Sequence, residues 1–146
     1  METGLGARFA TEAPLPFAAV VDAADERPPL WTGHVFLATT DVATAAQFFE
    51  QIGMRRVAVG EAFAALEMRG GTHLLIQHDP SSVKPGPVPW DLMVDDVDVT
   101  HDDWQAKGLS VTDVIDETPI PHRRFDVTDP EGHVLVVRDS HVAGPV

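Results

Sequence analysis

The run His34-Val35-Phe36-Leu37-Ala38-Thr39-Thr40-Asp41-Val42 and the residues after it to Met54 decide the fold, because a stretch of the same build returns 55 residues later. At that offset Leu37 meets Leu92, Asp41 meets Asp96, Val42 meets Val97, Phe49 meets Trp104, Gly53 meets Gly108, Met54 meets Leu109 and Val59 meets Val114. Such agreement is what a duplicated module gives, and also what two segments converging on the same local physics give. In each copy a short apolar run, His34 to Thr39 or Leu92 to Val94, leads into an aspartate suited to cap the free amides at a helix start. Val42, Ala45, Ala46, Phe49 and Ile52 then recur at helical spacing, as do Val97, Thr100 and Trp104. Gly53 and Gly108 stand where a left-handed residue ends a helix. That spacing makes Phe49 and Trp104 core residues first.

Outward from each predicted helix lie three further apolar runs: Arg56 to Gly60, Ala62 to Met68 and Thr72 to His78, then Val111 to Ile115, Phe125 to Thr128 and Val134 to Arg138. Each copy therefore reads βαβββ, with Gly70-Gly71 and Glu131-Gly132 at hairpin turns. Four prolines and a glycine between Asp79 and Pro89 predict a linker there rather than a strand. Prolines 14, 16, 28 and 29 mark residues 1–31 as an N-terminal arm, in which Phe17 to Val21 is the one candidate strand. The expected body is a single α+β domain over residues 32–141, with modules at about 32–78 and 89–141 and a tail at 142–146.

Bulk properties narrow the function. With 23 acidic against 10 basic residues the chain carries a net charge of -13, which repels nucleic acid and anionic membrane surfaces. Cysteine is absent, so disulfides and thiolate chemistry are excluded and only oxygen and nitrogen ligands remain. No apolar run approaches the length of a membrane span, and a cytoplasmic protein is expected.

The run His34 to Val42, the helix ending in Phe48-Phe49-Glu50-Gln51-Ile52-Gly53-Met54, and the turn Asp129-Pro130-Glu131-Gly132-His133 together resemble the vicinal oxygen chelate superfamily. This is the glyoxalase, bleomycin-resistance and extradiol dioxygenase group, and the likeness covers about residues 32–141. The resemblance implies paired βαβββ modules bent into a curved mixed-sheet cleft that holds a small molecule. That one architecture serves lyases, isomerases, dioxygenases and drug-binding proteins, so the site residues must choose among them. Metal-dependent members hold a divalent ion with His, Glu or Gln from the first and last strands of each unit. On this chain those positions fall on His34, on Leu75 or Ile76 with Gln77 as a substitute, on Pro89 and on Val136. The set is mostly apolar, and one imidazole with one amide holds an ion weakly.

The favoured expectation is a metal-free protein that binds and sequesters a toxic or antibiotic-like compound, with the negative charge drawing a cationic ligand. Its candidate ligand-binding residues are His34, Phe36, Gln77, Trp90, His122, Arg124, Phe125 and Arg138. The alternative is a lyase, isomerase or dioxygenase with Zn, Ni, Mn or Fe at His34 and Gln77. A metal-free enzyme using His34 or His122 as general base is a third reading. No residue of the sequence identifies the substrate. Alternation places His73, Leu75 and Gln77 on one strand face and His78 on the other. The resemblance further implies a homodimer, since an open curved sheet leaves unpaired edges that association can cover.

Overall fold

The computed structural model describes residues 25–140. The strand predicted at Phe17 to Val21, the last residue of the expected body, His141, and the expected tail at 142–146 lie outside the described residues. Leu30–Val142 forms one compact unit. Of the described residues before it, Arg27 pairs with Asp25.

Alternation of apolar and polar residues produces the first sheet. Strand β1 (His34–Thr39) runs parallel to β4 (His73–His78), and β3 (Phe63–Glu67) pairs antiparallel with β4 and with β2 (Arg55–Val59), giving the order β1-β4-β3-β2. Leu37, Ala64, Leu66, Leu74 and Ile76 point to one side and are buried there under helix α1 (Val42–Gln51). Asp41 caps α1 as expected, its carboxylate accepting the Thr44 N–H at 3.1 Å. The helix buries a wider face than the predicted stripe, because Phe48 is covered as well as Phe49.

The second module repeats the plan with helix α2 (Val97–Ala106), which starts at its own aspartate cap, Asp96, at the same offset of 55 from Asp41. In its sheet β5 (Gly86–Val94) is parallel to β9 (His133–Asp139), β8 (Arg123–Thr128) is antiparallel to β9 and β6 (Ser110–Val111) pairs with β8, giving the order β5-β9-β8-β6. Phe125, Val127, Leu135 and Val137 join the residues of the first module in one continuous core. Full burial of each large apolar side chain contributes about 1.5–3 kcal/mol. The architecture is thus α+β, two mixed sheets with two helices, and no closed barrel. Among the described residues no helix is long and apolar enough to cross a membrane.

Two expectations are corrected. Gly86 to Pro89, read as linker, belongs to β5. Proline is tolerated there because β5 is the edge of its sheet, and the ladder is irregular between Pro87 and Asp91. The single strand expected from Val111 to Ile115 is instead β6 (Ser110–Val111) and β7 (Ile115–Asp116), both paired with β8. Thr112 explains the break. Its side-chain hydroxyl accepts the Asp126 N–H at 2.8 Å, a role a ladder gives to a backbone carbonyl, and the three residues 112–114 then stand opposite two, 125–126, on β8.

The turn Asp129 to His133 ties the modules together. Asp129 is 5% exposed; its Oδ1 accepts the N–H groups of Glu131 and His133 at 2.9 and 2.8 Å, and its Oδ2 lies 2.7 Å from His133 Nδ1. That geometry aims Glu131 at the end of β1, where its carboxylate accepts the buried Thr39 hydroxyl at 2.5 Å, the Thr40 N–H at 3.0 Å and the Thr40 hydroxyl. Burial raises the Glu131 pKa, and these hydrogen bonds outweigh it and hold the carboxyl below its ordinary value.

Candidate functional site: two open sheet faces

One face of each sheet is filled by the helices, so the other is left for a ligand or partner. Strand register sets the first open face in rows. His34, His73, Glu67 and Arg55 form one row, Phe36, Leu75, Ala65 and Ala58 the next, and Ala38, Gln77 and Phe63 the third. The centre is apolar and uncovered, with Phe36 at 58% and Phe63 at 41% exposure. Polar groups sit at its margins. The His34 and His73 rings lie 5.9 Å apart at a tilt of 32°, and Arg55 pairs with Glu67 at 3.0 Å.

The second open face is charged. Arg124 and Arg138 stand opposite one another in register on β8 and β9, an arrangement that needs anions to hold it. Glu117 supplies one from the segment after β7. It accepts from Arg138 Nε at 2.9 Å and a second Arg138 nitrogen at 3.2 Å, and from Arg124 at 2.6 Å. Asp91 takes a further Arg138 donor at 2.7 Å, and Asp126 binds Arg124 at 2.8 Å. Arg138, and then Arg124, hold the Glu117 carboxyl down to about 2. Both guanidinium pKa values are raised in turn, chiefly by Glu117. Nearby, His122 Nδ1 lies 3.0 Å from the Asp139 carbonyl and 3.3 Å from its carboxylate. Burial pushes the Asp139 carboxyl up, while the Arg123 N–H and His122 more than offset that and hold it low.

The sequence-derived candidates separate into three groups. His34, Phe36 and Gln77 share the first open face, and Arg124 and Arg138 share the second, with His122 beside its last strand. Trp90 and Phe125, expected as aromatic walls, lie on the helix side. The Trp90 indole N–H donates to the Phe36 carbonyl at 3.2 Å and its ring lies 6.5 Å from Phe49, while Phe125 is 1% exposed between His101 and Trp104. Strand parity requires this, since Phe125 follows Arg124 and adjacent residues face opposite ways. Glu117 was not among the candidates, because it sits outside any periodic run. Asp91 carried a readable signal, an acid alternating with Trp90 and Leu92 in an apolar strand.

The donors for a metal do not fit. Leu75 and Val136 face outward as hydrocarbon, Pro89 has no donor, and the acids flanking Val136 in register, Asp91 and Asp126, are each held by an arginine. Among the described residues no three His, Cys, Asp or Glu side chains form a group able to hold an ion. A separate concavity of about 310 Å³ lies between α1 and residues 108–110 and 128–130.

The family model described as Glyoxalase/Bleomycin resistance protein/Dioxygenase superfamily matches residues 31–137. Among solved structures, an integron cassette protein from the mobile metagenome of the Halifax Harbour sewage outfall is similar over 75% of this chain and 98% of its own, at 16% identity and a TM-score of 0.67. A lactoylglutathione lyase from Agrobacterium tumefaciens is similar over 77% of this chain and 96% of its own, at 20% identity and a TM-score of 0.64. For a bleomycin-binding protein solved with bleomycin the shares are 76% and 98%, with 17% identity and a TM-score of 0.59. No curated protein matches the sequence. At these identities the structures report the fold.

Proposed function

Since the chain belongs to the glyoxalase/bleomycin resistance protein/dioxygenase superfamily, we propose that it is a metal-independent member that binds a small organic molecule and sequesters a toxic or antibiotic-like compound. One observation carries this reading: the positions that would supply metal donors are Leu75, Pro89 and Val136, and Leu75 lies within an uncovered aromatic surface that includes Phe36 and Phe63. Apolar walls with a few fixed polar groups are the general make-up of a small-molecule site. His34 and Gln77 then serve as hydrogen-bonding groups at the margins of that surface. A net charge of -13 favours neutral or cationic ligands and concentrates the latter.

A metal-dependent lyase, isomerase or dioxygenase is the second reading, favoured by the His34 and His73 imidazoles side by side on one face. Equilibrium dialysis followed by elemental analysis separates the two. The proposed protein carries well under one equivalent of Zn, Ni, Mn or Fe, and His34→Ala leaves that content unchanged. A stoichiometric ion lost in His34→Ala establishes the second reading instead. Calorimetric titration with bleomycin, a cationic ligand, tests binding itself.

The working form in this proposal is a homodimer. Support comes from Leu30, Trp31, Val57 and Val99, each more than half exposed, a load of uncovered apolar surface that association removes from water. Sedimentation equilibrium at micromolar concentration gives a species of twice 15.8 kDa if this holds, and a 15.8 kDa species if it does not.

A further inference from the structure

The charged face holds one carboxylate more than its arginines require. Asp126 already pairs with Arg124 and Asp91 with Arg138, so the two guanidiniums have one acid each before Glu117 arrives. Glu117 nevertheless occupies the space between them, with both of its oxygens accepting, one of them from both arginines. It reaches in from a short attachment. β7 pairs with β8 over two residues, and the chain then turns back on itself, Glu117 N–H to the His122 carbonyl at 2.7 Å and His122 N–H to the Ile120 carbonyl at 2.9 Å. Pro119 and Pro121 bring no N–H to extend the ladder, and Ile120 at the tip is 62% exposed.

We propose that Arg124 and Arg138 form a carboxylate-binding cradle for a small zwitterionic ligand, with Glu117 as the internal carboxylate that the ligand displaces and residues 117–122 as the flap that moves aside. The inference rests on the small-molecule reading above and names a ligand class for the second open face. Two planar guanidiniums converging on one position match a carboxylate with paired donors. Exchanging Glu117 for the carboxylate of a ligand leaves every guanidinium donor filled, so neither arginine is left unpaired. The body of the ligand must be cationic as well. A displaced Glu117 remains alongside as a free anion, and the net charge of -13 repels a simple anion while leaving a zwitterion unopposed. Ile115 and Met93, exposed at the two ends of the row containing the arginines, offer apolar contact to the ligand's middle.

Because Glu117 competes from within the chain, the wild type binds through the fraction of molecules whose cradle is open, and removing the competitor raises affinity by the inverse of that fraction. The test uses the full chain and para-aminomethylbenzoate, with para-aminomethylbenzamide as the probe lacking a carboxylate. In calorimetry, Glu117→Ala should bind the benzoate roughly tenfold or more tightly than the wild type, the gain should vanish in Glu117→Ala/Arg124→Gln, and the benzamide should show no gain. Equal benzoate affinity in wild type and Glu117→Ala, or equal gains for both probes, overturns the cradle. If Glu117→Ala does not fold, the Nε resonances of Arg124 and Arg138 in the labelled wild type decide: shifts with the benzoate and none with the benzamide support the proposal, and unmoved resonances overturn it. A bleomycin titration that succeeds while these arginines stay silent leaves the small-molecule reading standing and removes only the cradle.

Discussion

Replacing Asp129 with alanine should be the most damaging single change in the turn that joins the modules. The carboxylate satisfies three donors within a site almost closed to water: the N–H groups of Glu131 and His133 and the His133 ring nitrogen, with His133 itself 4% exposed. Alanine leaves the two His133 groups buried without a partner, each at a cost of about 1–3 kcal/mol, while the Glu131 N–H, being less buried, finds water. The sum is about 4 kcal/mol, which for a domain of this size lowers the melting temperature by roughly 15 °C. Glu131 loses its aim at Thr39 and Thr40 in the same step, so the loss is not confined to the turn. Asp129→Asn keeps an oxygen for the two backbone donors and loses the anionic partner of His133, and about half the destabilisation should remain. Thermal unfolding followed by circular dichroism on wild type, Asp129→Asn and Asp129→Ala measures this series. An alanine variant melting within about 3 °C of wild type would refute the reasoning, because water would then be reaching and replacing these hydrogen bonds.

Acid should act on Glu117 in a defined window. Its pKa falls from an ordinary 4.5 to about 2 in the folded protein, so its stabilisation is complete above pH 4.5 and is lost as pH falls toward 2. The stability difference between wild type and Glu117→Gln should shrink across that interval, and a constant difference would argue against the arginine pairing. Gly132→Ala should destabilise by about 1–2 kcal/mol in urea unfolding, since Gly132 has φ of 90° and an added Cβ would lie 3.2 Å from that of Pro85. Removing either helix cap, in Asp41→Ala or Asp96→Ala, should cost about 1 kcal/mol by the same assay. Affinity for a cationic ligand should fall as salt rises, and salt-independent binding in calorimetry would assign the net charge no part in recognition.

Much of this fold is legible because its signals are local. Both helices start one residue after an aspartate and stop just before a glycine at the offset seen in the sequence, since capping and the left-handed exit depend on a few neighbouring residues. Where the reading failed, the deciding partner was distant. Pro87 and Pro89 exclude an interior strand but not an edge, and whether β5 is an edge depends on β9, more than forty residues further on. Thr112 breaks its strand only because Asp126 stands across from it.

The open faces follow the same division. Period-two alternation puts His34 and Phe36 on one face and Arg124 and Arg138 on another, and applied strictly it removes Phe125 from the site as soon as Arg124 is placed in it. Trp90 is excluded by the same parity, because Leu92 and Val94 share its side and pack on the core. Glu117 obeys no period, and its place between two arginines follows from how β8 and β9 align. That alignment also bears on the chemistry. At the level where relatives would place metal donors this chain has Leu75 and Val136, yet beside Val136 the acids Asp91 and Asp126 are present and are neutralised by Arg138 and Arg124. An arginine held within 3 Å of a carboxylate competes directly with a cation for the same oxygens, so freeing those acids for a metal requires two guanidiniums to leave at once. The same competition for guanidinium donors, between one carboxylate and another, is the chemistry on which the proposed cradle depends.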